Sequence, residues 1–187
     1  MGKMGQTKTA QQSRLLKRLA NAKDRFFNSI VGLDPATLCT EHVIGDWTVK
    51  DILGHIVSWD CEFRADIKMI LNGKHPGYER HISGDDDFNQ WNQHWIARKR
   101  NWTWQHIEAD FDQDYQEAVQ LIMCLEPQDF RKRGVTPWKH AAVEKPAMPA
   151  AADTDSVETL VTFHWRHINQ HTRMIEKWRR RRAREHK

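Results

Sequence analysis

Histidines near the end of the chain have a spacing that suits metal binding. His164, His167 and His171 lie within TFHWRHINQHTRMIEKW, residues 162–178. If this segment is helical, the four-residue step from His167 to His171 places two imidazoles one turn apart on one face, as two ligands of one ion require. A third ligand must come from elsewhere. The best candidate is His55 in WTVKDILGHIVSWD, because that segment also has a strong helical pattern.

A site built from imidazoles would bind Zn, Ni or Fe in the divalent state. With only three protein ligands, coordination positions stay open for water and substrate. A metal-bound water loses a proton near neutral pH, and a bound thiol becomes a thiolate, so either could serve as a nucleophile. The H-x-x-x-H spacing alone is a weak signal, because helical histidines four residues apart often occur without a metal.

His164 adds a further histidine to the same segment. It lies two helical turns from His171, about 10.5 Å along the axis, so these two residues cannot easily share one ion. His164 could instead orient a ligand or act as a proton shuttle. An alternative pairing of His164 with His167 remains open.

Other side chains near these histidines are candidates for catalysis or binding. Glu62 lies two turns beyond His55 and could be a general base, although a rim charge or a salt-bridge partner is the competing interpretation. Trp47 and Trp59 could stack on a substrate, with core packing as the alternative. Cys61 falls about 240° around the helix from His55, which argues against it as a ligand. The other histidines are interpreted as surface residues: His42, His75, His81, His94, His106, His140 and His186.

Apolar residues that recur every three or four positions predict an all-α protein. The first helix is expected over residues 9–31, and residues 33–47 form a connector. Thr48 and Asp51 mark the start of a helix that extends to about Leu71. Acidic residues 85–87 open a third helical region, which Pro127 stops and which divides into two helices near Asn101. No strand-like alternation is visible.

A long proline-containing connector, residues 126–153, precedes the last helix. Such a length is unusual in a compact domain unless the segment covers a pocket, so it is a candidate lid or pocket rim, with disorder as the alternative. The last helix begins at Asp155 or Ser156. The domain expectation is a disordered start over residues 1–8, a helical bundle over 9–178 and a basic tail over 179–187.

Composition restricts the class of protein. A length of 187 residues suits one domain, and three cysteines without paired spacing favour reduced thiols in the cytoplasm. No secretory leader and no apolar run of about 18 residues is visible, so a soluble protein is expected. Residues 177–187 hold seven Lys and Arg against one Glu, and the net charge of +4 therefore leaves the body slightly acidic. A solvated helix end explains this run better than nucleic-acid binding does.

Two motifs carry a resemblance to a known family. GDWTVKDILGHIVSWD, with Trp47 and His55, and the H-x-x-x-H-x-x-x-I-x-x-W pattern of His167, His171 and Trp178 resemble the DinB-like four-helix bundle superfamily. Within it the chain looks most like the ClbS/DfsB group. The resemblance covers roughly residues 9–178. It implies a four-helix bundle with a long connector before the last helix, and a divalent metal held by His55, His167 and His171.

The resemblance implies more than one activity. Some relatives are transferases or isomerases that act with mycothiol or bacillithiol, and others protect against genotoxic metabolites by hydrolysis. The first hypothesis is therefore a metal-dependent enzyme that acts on a small electrophile, with metal-bound water or a low-molecular-weight thiol as the nucleophile. The second is a metal-free binding or self-protection protein of ClbS/DfsB type. A third, weaker hypothesis is nucleic-acid association through the Arg-rich tail. The family also implies a homodimer.

Overall fold

The computed structural model describes residues 8–79, 84–136 and 154–185. In chain order its elements are α1 (Ala10–Ile30), α2 (Pro35–Thr40), β1 (His42–Ile44), β2 (Trp47–Thr48), α3 (Val49–Leu71), α4 (Pro76–Glu79), α5 (Gly84–Lys99), α6 (Trp104–Cys124), a 3-10 turn (Asp129–Arg131), β3 (Arg133–Gly134), β4 (Asp155–Ser156) and α7 (Val157–Glu185). Helices α1, α3, α6 and α7 are the long members of a bundle, and α5 packs on α3. The predicted all-α four-helix fold is confirmed.

Local capping explains where the first long helices begin. The Thr9 side chain accepts from the Gln12 backbone N–H, and the Gln12 side chain accepts from the Thr9 backbone N–H. Thr48 and Asp51 make the same reciprocal pair at the start of α3. Each pair satisfies backbone donors that a helix leaves unpaired, which typically stabilises a helix start by about 1 kcal/mol. The predicted start of the second long helix is therefore confirmed.

The core is one apolar cluster to which all four long helices contribute. Its large side chains with less than 2% exposure are Phe26, Phe111, Phe130, Leu15, Ile52, Leu53, Ile56, Ile67, Ile107, Leu160, Ile168 and Ile175. Burying a side chain of this size contributes about 1.5–3 kcal/mol. The same packing fixes the rotation of α3 and α7, and hence the direction in which their histidines point.

Short strands occur where none was predicted. Residues 33–47, expected to be a plain connector, contain α2 and β1, and β1 pairs with β2 across a turn at Gly45, whose φ is +51°. This positive φ favours glycine. β3, which lies within the predicted connector 126–153, pairs with β4, which directly precedes the last helix. The prediction of no strands was wrong because elements of two or three residues are too short to show alternation.

Several predictions concern residues that the structure does not describe. Residues 1–7 and 137–153, which include most of the predicted disordered start (1–8) and most of the candidate lid (126–153), lie outside the described residues, as do His81, His140 and His186. Helix α7 continues through the basic run to Glu185. There, Arg179 donates to the Ser29 carbonyl at 2.8 Å, and Arg182 pairs with Glu41 at 2.8 Å.

Membrane insertion was not expected from the sequence. Among the described residues, no helix combines the length and the apolar character that a membrane span requires.

Candidate metal centre

Helices α3 and α7 bring three imidazoles to one point. His55 projects from α3, while His167 and His171 project from successive turns of α7. The Nε2 atom of His167 lies 3.1 Å from Nε2 of His55 and 3.0 Å from Nε2 of His171. One ligand atom from each residue lies within 4.8 Å of the other two. The structure therefore assembles the predicted triad from two helices, with His55 and His167 separated by 112 residues in sequence.

Burial keeps the three rings neutral. Removal from water lowers the pKa of His55 to about 3, with smaller contributions from His171 and Lys99. Burial also lowers the pKa of His171 to about 4. The pKa of His167 lies well below its ordinary value, first because of burial and then because of the neighbouring histidines. Neutral imidazole is the form that binds metals, so the triad is ready to bind at neutral pH.

The geometry of the three rings fits a divalent cation. Nitrogen ligands at 2.0–2.1 Å from a tetrahedral zinc ion lie about 3.3 Å from one another, close to the separations of the Nε2 atoms. Without a cation, a single proton on Nε2 of His167 can serve only one of the two Nε2 pairs, the one with His55 or the one with His171. The Nδ1 atoms of His55, His167 and His171 are also buried, and none has a hydrogen-bond partner among the described residues. Three convergent imidazoles with unmet polar atoms are the donor set that Zn, Ni or Fe prefers.

A buried carboxylate lies directly behind the triad. Asp60 is 2% exposed, and its Oδ1 is 3.3 Å from Nδ1 of His164 and 4.0 Å from Nδ1 of His167. His164 is also 2% exposed and lies beneath the triad, outside the set of ligands. A supporting role for His164 was an expectation from the sequence, whereas Asp60 was not among the candidate residues.

Farther along α3, a second buried polar group pairs with α6. Nη1 of Arg64 donates to Oδ1 of Asp114 in a short contact, and Nη2 donates to Glu117 at 3.0 Å. Arg64 and Asp114 have side chains only 6% and 4% exposed. Burial and the charge of Asp60 raise the pKa of Asp114 to about 7, although Arg64 acts in the opposite direction.

The triad forms one wall of a cavity of about 800 Å³. This volume is in the range of pockets that enclose a small organic molecule. Besides the triad, its lining consists of apolar and aromatic residues with a few amides and one acid: Ile44, Gly45, Asp46, Trp47, Trp59, Phe63, Phe88, Asn92, Gln93, Phe163, Gln170 and Met174. A metal at the triad would therefore face a largely apolar chamber.

Both predicted tryptophans line this cavity. The ring of Trp47 lies 4.8 Å from that of His55, and the ring of Trp59 lies 6.4 Å from it. Trp59 also packs at 4.2 Å against Trp91, and its Nε1 donates to Asn92 at 2.9 Å. The hydrogen bond and the ring contacts fix the indole at the wall of the cavity. Packing and ligand contact are thus compatible roles for the same residue.

The remaining predicted residues are distributed as follows. Glu62 is half-buried on α3 and is not among the residues that line the cavity. Cys61 is exposed, in agreement with its dismissal as a ligand. His42, His94 and His106 are exposed, as predicted.

His75 does not fit the surface interpretation. It is half-buried, and its Nδ1 accepts from the Val135 backbone N–H at 3.2 Å. The expectation of a surface residue was wrong because this contact spans 60 residues and leaves no local pattern in the sequence.

Fold and site together define a helical bundle with a buried cluster of three histidines that could hold a metal ion. A family model of the DinB superfamily matches residues 11–175, and the chain belongs to this superfamily. A search of curated proteins found no match.

Solved structures with the same fold are distant in sequence. The chain is 14% identical to DfsB, a sibling lethal factor precursor, with a TM-score of 0.69 and coverage of 94% of this chain and 98% of DfsB. It is 16% identical to YfiT from Bacillus subtilis, described as a probable metal-dependent hydrolase with an unusual four-helix bundle topology. For YfiT the TM-score is 0.67, and coverage is 98% of this chain and 94% of that one. An uncharacterised protein from Clostridium difficile 630 is 11% identical, with a TM-score of 0.69 and coverage of 93% and 98%. These similarities establish the shared fold.

Proposed function

We propose that the protein is a metal-dependent enzyme that acts on a small electrophile with an apolar body, using water or a low-molecular-weight thiol as the nucleophile. The observation that carries this proposal is the opening of the His55, His167 and His171 triad onto the aromatic cavity. The description of YfiT as a probable metal-dependent hydrolase supports it.

The triad would hold the cation through three Nε2 atoms. When bound, a divalent cation lowers the pKa of a coordinated nucleophile and polarises a substrate oxygen. The remaining tasks belong to the protein. Trp47 and Trp59 present ring surfaces that can pack against the substrate body, and the surrounding apolar wall limits the access of bulk water.

Hydrolysis is the first reaction to test. We expect zinc-loaded protein to hydrolyse 4-nitrophenyl esters, with kcat/KM rising as the acyl chain becomes longer and more apolar. Exhaustive chelation and the His167→Ala variant should each lower kcat/KM by more than about 100-fold. His106→Ala is the matched control, because His106 is exposed and stacks on Trp102 outside the site. A rate that survives both chelation and His167→Ala would contradict the proposal.

Thiol transfer requires a separate assay. The same protein samples should be given 1-chloro-2,4-dinitrobenzene with and without bacillithiol. A metal-dependent rate that requires the thiol identifies a transferase, whereas ester hydrolysis without the thiol identifies a hydrolase. No metal-dependent rate in either assay would count against catalysis.

A metal-free binding or self-protection role is the second candidate. It is favoured by the shared fold with DfsB and by the number of aromatic rings in the cavity wall. In that case an apolar ligand such as 2-naphthol should quench tryptophan fluorescence equally in chelated and metal-supplied protein, with no turnover in either. Quenching that is lost in Trp59→Ala would localise the ligand to the cavity.

A further inference from the structure

Asp60 occupies an unusual position for a carboxylate. It lies on α3 with 2% exposure, and its Oδ1 faces two histidines of α7, at 3.3 Å from Nδ1 of His164 and 4.0 Å from Nδ1 of His167. Burying a carboxylate is costly unless it is paired. The histidines that lie near it on α7 therefore indicate its role.

We propose that Asp60, held in place by His164, is a positioning residue for the metal ligand His167. The inference rests on the proposed metal centre and assigns a part of it that the ligand set does not include. Asp60 acts through His167 and does not itself contact the metal or substrate.

The tautomer of His167 is the first reason. A ligand that binds through Nε2 must carry its proton on Nδ1. Oδ1 of Asp60 lies 4.0 Å from this Nδ1, beyond hydrogen-bond distance, so the carboxylate acts on the ring electrostatically. The alternative tautomer would place a lone pair, rather than a proton, near the negatively charged oxygen. The carboxylate therefore favours the proton on Nδ1 and leaves Nε2 of His167 as a donor to the cation. Carboxylates behind metal-binding histidines commonly have this orienting effect.

His164 explains how Asp60 is held. Its Nδ1 lies 3.3 Å from Oδ1 of Asp60, close enough for electrostatic attraction, although neither atom makes a hydrogen bond among the described residues. A proton on Nδ1 of His164 would lie near the carboxylate oxygen, whereas Nε2 has no hydrogen-bond partner in the described part of the chain. Nδ1 atoms of both His164 and His167 thus lie within 4.0 Å of the same oxygen.

Charge balance is the second reason. The three neutral imidazoles bring no negative charge to a divalent cation. In this low-dielectric surrounding, a nearby buried carboxylate attracts the cation more strongly than it would in water. The ion would in turn offset the cost of burying Asp60. This gives the position of Asp60 a function that packing alone does not.

Cobalt is a suitable probe, because Co²⁺ takes the same ligands as zinc and its visible absorption reports ligand geometry. Full-length wild type, Asp60→Asn and His164→Gln should be titrated with Co²⁺ against a competing chelator, and the spectra recorded at saturation. Asp66→Asn is the matched control, since Asp66 is a fully buried carboxylate on the same helix and lies three turns, about 16.5 Å, from His55. Circular dichroism establishes that each variant is folded.

We expect Asp60→Asn to weaken Co²⁺ binding by about 10- to 100-fold and to shift the absorption bands. His164→Gln should cause a smaller loss in the same direction, and Asp66→Asn should leave affinity and spectrum unchanged. If wild type and Asp60→Asn bind with equal affinity and identical spectra, the role of Asp60 is refuted while the metal centre stands. If wild type binds no cobalt or zinc, the metal centre and the role of Asp60 are both refuted.

Discussion

Two buried polar groups in this bundle differ in how their polar atoms are paired. Between α3 and α6, Arg64 donates to Asp114 and Glu117, so opposite charges meet within the protein. Between α3 and α7, the histidine triad gathers three neutral rings whose Nε2 atoms converge. The first group needs nothing from outside the chain, whereas the second would be completed by the proposed cation.

This difference distinguishes a buried polar group that serves the fold from one that could serve a function. The Arg64 group is enclosed by helices, and its pairing compensates the charge of the buried arginine. The triad faces a cavity of about 800 Å³, where a bound ion could meet a small molecule. Variants at Arg64 should therefore change folding, and variants at the triad should change metal binding.

Arg64→Met should give the largest loss of stability. Removing one partner of a buried ion pair leaves the other without compensation, which costs about 3–5 kcal/mol. We expect the lower end of this range, because Asp114 can take up a proton when Arg64 is absent. Chemical denaturation measures the loss, and Co²⁺ affinity should stay within about threefold of wild type. A variant that unfolds normally but binds no metal would contradict the separation of the two groups.

In chelated protein, a fall in pH should lower the stability contributed by the triad and raise the stability contributed by Asp114. The folded-state pKa values of the triad lie below the ordinary value of 6.5, so the unfolded chain binds more protons as pH falls. From pH 6.5 to 5.5 each such histidine should cost about 1 kcal/mol of stability. The pKa of Asp114 is raised to about 7, so its contribution to the stability of the protein instead falls as pH rises from about 4 towards 7.

Urea unfolding between pH 5.5 and 6.5 measures the sum of these effects. The triad should dominate, so stability rises with pH. Asp114→Asn removes the opposing contribution and should make the rise steeper. A stability that is independent of pH over this interval would contradict the buried, neutral state of the triad.

Glu117→Gln should give the smallest change. The side chain of Glu117 is 49% exposed, and exposed ion pairs contribute at most about 1 kcal/mol. We expect a loss of less than about 1 kcal/mol in urea unfolding and no change in metal affinity. A loss comparable to that of Arg64→Met would show that Glu117, rather than Asp114, is the main partner of the arginine.

The sequence predicts much of the fold and the histidines of the triad for physical reasons. Long amphipathic helices repeat their apolar pattern over several turns, and the Thr48 and Asp51 cap is a local signal. The H-x-x-x-H pair is likewise local to one helix. His55 could be added to it through the family resemblance and the pattern of its own helix.

Asp60 illustrates what a single sequence conceals. It lies five residues after His55, about 140° around α3, so a search of the face that carries His55 favours Glu62 instead. Only the crossing of α7 over α3 brings Asp60 to His164 and His167. Packing angles of this kind depend on the whole core. The contact of His75 with Val135 was missed for the same reason, whereas the short strands were missed because two or three residues show no alternation.

The central claim is that His55, His167 and His171 bind one divalent cation. Its most direct test is elemental analysis by mass spectrometry of untagged wild type, His171→Ala and His106→Ala, each reconstituted with Zn, Ni or Fe and freed of excess metal. We predict about one metal ion per chain in wild type and His106→Ala, and none retained in His171→Ala. No bound metal in reconstituted wild type, or equal metal content in His171→Ala, would contradict the account.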